Sequence, residues 1–195
     1  MLTATSRPRS RRDLLSRLFS LGAVATSTAA AMAGPPRKVR LDVDPSGLLV
    51  KLVSRTNYGV TEAELARAES LGYQGYLEYQ LNYGAINDSE IDTRIASTLP
   101  NIALNPSGLI AQTTAVIANQ LTEATILRAV YSKRGLYQRM VEFWTDHFNI
   151  DIRLGNIAYL KLPDDRDVVR ANAMGTFAQI LNASAHSPAM LSYLD

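Results

Sequence analysis

Apolar residues recur along this chain at steps of three and four, and no set of alternating apolar strands is visible. That spacing builds one oily face on a helix, and its constancy leaves little material for a sheet. The clearest case is Leu136 to Asn149. Met140, Phe143, Trp144, His147 and Phe148 fall there at i, i+3, i+4, i+7 and i+8 and make one stripe. The expected fold class is therefore all-α, an irregular multi-helix bundle of about eight helices.

Punctuation along the chain places those helices. Asp44-Pro45-Ser46 starts one that carries Leu48, Leu49, Leu52 and Val53. Thr61-Glu62-Ala63-Glu64 reads as a capping box, opening a helix that Leu71-Gly72 ends. A second helix follows with Tyr73, Tyr76, Leu77 and Gln80, closed by Gly84. Asp88 to Ser97 is another, and Leu99-Pro100 and Asn105-Pro106 break the chain after it. Ser107 to Ser132 is one long stretch with a bend expected near Leu121-Thr122. Gly155 and Pro163 bracket Asn156 to Leu162, which is a short strand or a loop on this reading. Asp164 or Asp165 then caps a helix through Ala171. Thr176 to Ala185 is helical, and Ser187-Pro188 opens a last helix with Pro at its first position.

The first thirty-three residues read as an address. Ser10-Arg11-Arg12-Asp13-Leu14-Leu15 has the form of a twin-arginine export signal, with Arg11 and Arg12 as the pair. A mildly apolar run from Leu18 to Ala33 follows, and Ala31-Met32-Ala33 is a small-x-small cleavage site. The run is too short and polar for a stable membrane span. Residues 34–47 form a linker, and residues 48–195 the helical portion. The twin-arginine export machinery is thus the expected partner, and the periplasm or the cell exterior the expected destination.

Net charge follows the same division. The whole chain carries +2, but residues 1–33 hold five arginines and one acid, and residues 34–195 hold fifteen bases against seventeen acids. The mature part has no cationic excess to neutralise phosphates, so nucleic acid is not an expected partner. There is no cysteine, which excludes a thiol nucleophile, a zinc ribbon or a disulfide scaffold. No G-x-S-x-G elbow, dinucleotide fingerprint, P-loop or EF-hand loop occurs.

Chemistry, if present, centres on Trp144-Thr145-Asp146-His147. His147 with Asp146 is a candidate general base or metal site, and Glu142 and Trp144 complete the candidate set. The commoner reading makes His147 a buried histidine in the apolar stripe, bonded to a backbone carbonyl. Asp164-Asp165-Arg166-Asp167 would suit Mg²⁺ or Ca²⁺, but acids in a first helical turn explain it without a metal. Tyr73, Tyr76, Tyr79 and Tyr83, at steps of three, three and four, form either an exposed stacking ladder or core-lining aromatics.

Four blocks together resemble the N-terminal part of the domain of unknown function 1800 family, large exported helical bacterial proteins. Leu52-Val53-Ser54-Arg55-Thr56-Asn57-Tyr58-Gly59, then Leu71-Gly72, Tyr76-Leu77 and Gln80-Leu81, are similar to the family's opening motifs. Met140 to Phe148 resembles M-V-x-F-W-x-[ND]-H-F. Val169 to Phe177 resembles I-R-x-H-A-L-G-x-F, with Asn172 in place of the usual His. Ser187 to Asp195 is the fourth block. The resemblance implies a helical fold and export, and no reaction. Relatives continue beyond this point into an N-E-N-x-A-R-E-L-like helix, so the chain is expected to hold the first part of a longer domain. Uncovered apolar helix faces, and with them self-association or envelope contacts, are the expected mode of action. A hydrolytic or metal-assisted site around Asp146 and His147, incomplete in this chain, is the alternative.

Overall fold

A computed structural model of the chain describes residues 47–195. The twin-arginine motif, the cleavage site at Ala31 and Ala33, and the linker up to residue 46 lie outside the described residues. Nine α-helices and no strand occur among those described: α1 Leu48–Thr56, α2 Glu62–Leu81, α3 Ser89–Thr98, α4 Pro106–Leu109, α5 Thr114–Tyr131, α6 Gly135–His147, α7 Ile157–Asp164, α8 Phe177–Ala185 and α9 Pro188–Leu194. A π-helical stretch, Asp165–Arg170, continues α7, and 3-10 turns occupy Tyr83–Ala85 and Pro100–Ala103.

The caps follow the sequence in most places. Thr61 accepts from the Glu64 amide, and Ser187 accepts from Met190 N ahead of Pro188. The reciprocal half of the Thr61 box is absent, because the Glu64 carboxylate turns to Tyr76 Oη and to Arg67 instead. The complete box is at Thr176 and Gln179. Gly72 interrupts α2 with φ 69° and ψ 175°, so the two expected helices are both present and meet there at a kink. A side chain at that positive φ would be strained.

Three boundaries differ from expectation. The long stretch after Asn105 is not bent at Leu121-Thr122. It breaks between Leu109 and Thr114, where Thr113 caps α5. Asn156 to Leu162 is neither strand nor loop but most of α7, which runs on through Pro163. Asp164 and Asp165 therefore cap nothing: they sit inside a continuous helical run. Proline removes one backbone donor and crowds the preceding turn, and the widened turn beginning two residues later accommodates it.

Apolar burial is spread over five small clusters. Leu52 and Val53 of α1 pack on Ala68 and Tyr76 of α2. Ile91, Ile95 and Leu99 meet Ala124 of α5. Leu109, Ile117, Ala158 and Leu162 join α4, α5 and α7. Val141 of α6 meets Val169 and Ala173, and Ile150 and Ile157 meet Ala189 of α9. Each fully buried Leu or Ile contributes about 1.5–3 kcal/mol. Buried polar groups tie the clusters together. Asp88 accepts from Ser132 Oγ at 2.5 Å and Lys133 N at 2.8 Å, fixing α3 to the end of α5. Gln80 donates to Lys133 O and accepts from Leu136 N, fixing α2 to the start of α6. Gly135 lets α6 come close to α1, since a Cβ there would land on the Asn57 side chain and the Thr56 carbonyl.

Candidate functional site

α6 presents its predicted residues on two separate faces. Its inward face is Gly135, Gln138 and Val141. Gln138 is polar, which is why the apolar stripe alone does not find that face. Its buried side chain accepts from Arg170 Nη1 at 3.0 Å. Tyr137 Oη donates to the Arg170 carbonyl at 2.9 Å, and Trp144 Nε1 donates to the Ala173 carbonyl at 3.0 Å. Two of the sequence blocks, Met140 to Phe148 and Val169 to Phe177, are thus the two halves of one contact.

Around that contact lies a nearly dry ionic centre. Lys161, only 4% exposed, donates to Asp164 Oδ2 at 2.9 Å. Arg170 Nε donates to Asp165 Oδ2 at 2.7 Å. Two of the three acids in the sequence cluster, Asp164 and Asp165, therefore neutralise buried cations, and Asp167 pairs with Arg166 nearer the surface. Asp164, the last residue of α7, and Asp165, the first of the widened turn, are both buried. Buried pairs of this kind roughly balance attraction against lost hydration while both partners are present.

Glu142 and Asp146 border a cleft of about 230 Å³ beside this centre, together with Tyr58, Lys161, Asp165 and Arg170. Tyr58 Oη donates to the Gln138 carbonyl, and burial followed by the Glu142 charge pushes its phenol up to about 12. Asp165 and Arg170 are paired with each other and Lys161 with Asp164, and Glu142 pairs with Arg139 at 3.4 Å on the surface. Asp146 is left as the carboxylate of the cleft without an ion pair among the described residues. No group of three His, Asp or Glu side chains among the described residues is arranged to hold a metal ion.

His147 lies elsewhere. It is exposed at the end of α6 and not swallowed by the core, so the buried-histidine reading is corrected. Its ring stacks on Phe143 at 6.0 Å and meets the edges of Trp144 at 5.7 Å and Phe148 at 4.8 Å. Phe177 of α8 closes on Trp144 at 6.0 Å. Phe143 and Phe177 are 53% and 54% exposed, so this is an aromatic surface with His147 in it. The stripe is contiguous but lies on the shoulder of the helix next to the Gln138 face, with Met140 and Trp144 half-buried and Phe143 and His147 exposed. Asn172 bonds to the Val168 carbonyl one turn back. The four tyrosines form no ladder. Tyr76 is fully buried, Tyr73 is exposed, and Tyr83 stacks flat on Tyr137 at 4.7 Å.

A family model described as "Protein of unknown function (DUF1800)" matches residues 51–195, most of the chain. No curated protein and no solved structure matches it. No helix among the described residues is long and apolar enough to cross a membrane.

Proposed function

The chain belongs to the DUF1800 family of proteins of unknown function, and on that premise we propose that it is an exported helical module that acts by docking, with a second copy of itself as the occupant of its aromatic face. Export rests on Arg11, Arg12 and the Ala31-Met32-Ala33 site. Docking is carried by one observation, the solvent-facing cluster of Phe143, Trp144, His147 and Phe177. Exposed apolar patches mark interaction sites, and two-fold dimers, in which the same patch serves both subunits, are the commonest closed assembly. Burying each phenylalanine contributes about 1.5–3 kcal/mol. Association costs about 4–15 kcal/mol, so the dimer is weak and concentration-dependent.

Sedimentation velocity on the purified chain tests this. Wild type is expected to shift from monomer to dimer with concentration. The double change Phe143→Ser with Phe177→Ser is expected to stay monomeric with unaltered circular dichroism. A wild type that remains monomeric throughout overturns the reading. Export is tested separately: Arg11→Lys with Arg12→Lys is expected to retain the protein in the cytoplasm of a host with a twin-arginine system.

The cleft supports a second reading, hydrolytic or metal-assisted chemistry centred on Asp146. Its volume and its charged walls favour a small polar substrate. Stoichiometric metal in the purified protein, lost in Asp146→Asn but kept in His147→Ala, would move the site from the Asp146–His147 pair to the cleft alone. Metal lost in both would restore the pair.

A further inference from the structure

A second cavity, of about 240 Å³, lies between α3, α5 and the α7 run, away from the aromatic face. Ile95, Leu99, Ile102, Leu121 and Leu162 give it apolar walls. Four of its charged neighbours have partners or reach water. Arg170 is paired with Asp165, Arg166 is paired with Asp167 and bonds the Ile102 and Leu104 carbonyls, and Asp92 is exposed at the surface. Arg128 is the exception. Its Nη1 is buried and has no hydrogen-bond partner among the described residues. A buried guanidinium N–H left unpaired is costly, and a carboxylate is the group whose geometry answers it.

We propose that this cavity binds a small monocarboxylate with an apolar tail, the carboxylate on Arg128 and the tail against Ile95, Leu99, Leu121 and Leu162. The size fits. An apolar cavity of about 150 Å³ holds benzene, and this one adds room for a head group. The sign and number of charges fit as well. With the other two arginines neutralised, the wall offers one uncommitted cation, and Asp92 and Asp165 oppose a dianion such as phosphate. Burial first, and then the Arg170 charge, lowers the Arg128 guanidinium to about 10, while Asp165 and Asp92 raise it. Arg128 lines this cavity, and it also lines a neighbouring cleft of about 370 Å³ with Tyr58 and Gln138.

Isothermal titration of the purified full chain with benzoate and hexanoate tests the site, with benzyl alcohol, hexanol and inorganic phosphate as controls. Saturable binding of at least one carboxylate is expected, about tenfold or more tighter than its alcohol. Arg128→Gln is expected to weaken the carboxylate about tenfold or more and leave the alcohol little changed. Leu99→Trp, which fills the cavity with Arg128 intact, is expected to abolish both, and it stands as the test if Arg128→Gln fails to fold. Equal binding of carboxylate and alcohol, tighter binding of phosphate, undiminished binding in either folded variant, or no binding of either carboxylate to wild type would each overturn the proposal.

Discussion

Lys161 is a cation almost wholly removed from water, and one carboxylate, Asp164, answers it at 2.9 Å. Asp164→Ala is expected to destabilise the protein by about 3–5 kcal/mol, since the charge left behind stays buried. Urea denaturation measures this, and Lys161→Met with Asp164→Leu should recover most of the loss. Tyr58 gives a pH dependence. Its folded phenol ionises near 12 against an ordinary 10.0. The folded state therefore keeps a proton that the unfolded state gives up. The stability linked to it is complete below pH 10 and is lost as pH rises to about 12. Tyr58→Phe should make stability fall less steeply over that window; Tyr76, Tyr79 and Tyr137, also raised by burial, account for the remaining slope. A sequence does not disclose such neighbours. Asp164 and Lys161 stand three apart in a segment where Pro163 argues against any helix, so their pairing was hidden with the element that makes it.

At the scale of elements, the periodic rods and their caps were legible. Thr61, Thr176, Ser187 and Pro188 act at the ends of helices as their chemistry dictates. What was not legible is the direction of a broad stripe. On α6 the apolar shoulder, from Met140 to Phe148, is wider than the buried face, and tertiary contact with Arg170 chose the face containing Gln138. The candidate set divided accordingly: Glu142 and Asp146 reach a cleft, Trp144 spans helix and surface, and His147 faces solvent. α6 also depends on the absence of a side chain at its first residue. Gly135→Ala would press a methyl group on Asn57 and the Thr56 carbonyl, forcing α1 and α6 apart. A loss of about 1–3 kcal/mol is expected, read as a lower thermal midpoint.

For the whole molecule, five modest clusters joined by polar ties predict uneven stability. α8 buries little beyond Ile180 and Ser184 and leaves Phe177 and Leu181 in water. Its amides should exchange with deuterium well before those of α5. The tie at Asp88 should matter globally. Asp88→Ala removes the acceptor for Ser132 and Lys133, and a cost of about 1.5–3 kcal/mol for each bond sets the scale. Finally, Trp144 is the chain's one tryptophan, and its ring lies within the aromatic surface with its N–H tied to Ala173. The molecule therefore carries its own optical gauge. Light emitted by that lone indole will move to shorter wavelength when anything shuts water away from it, so occupancy can be followed without attaching a dye.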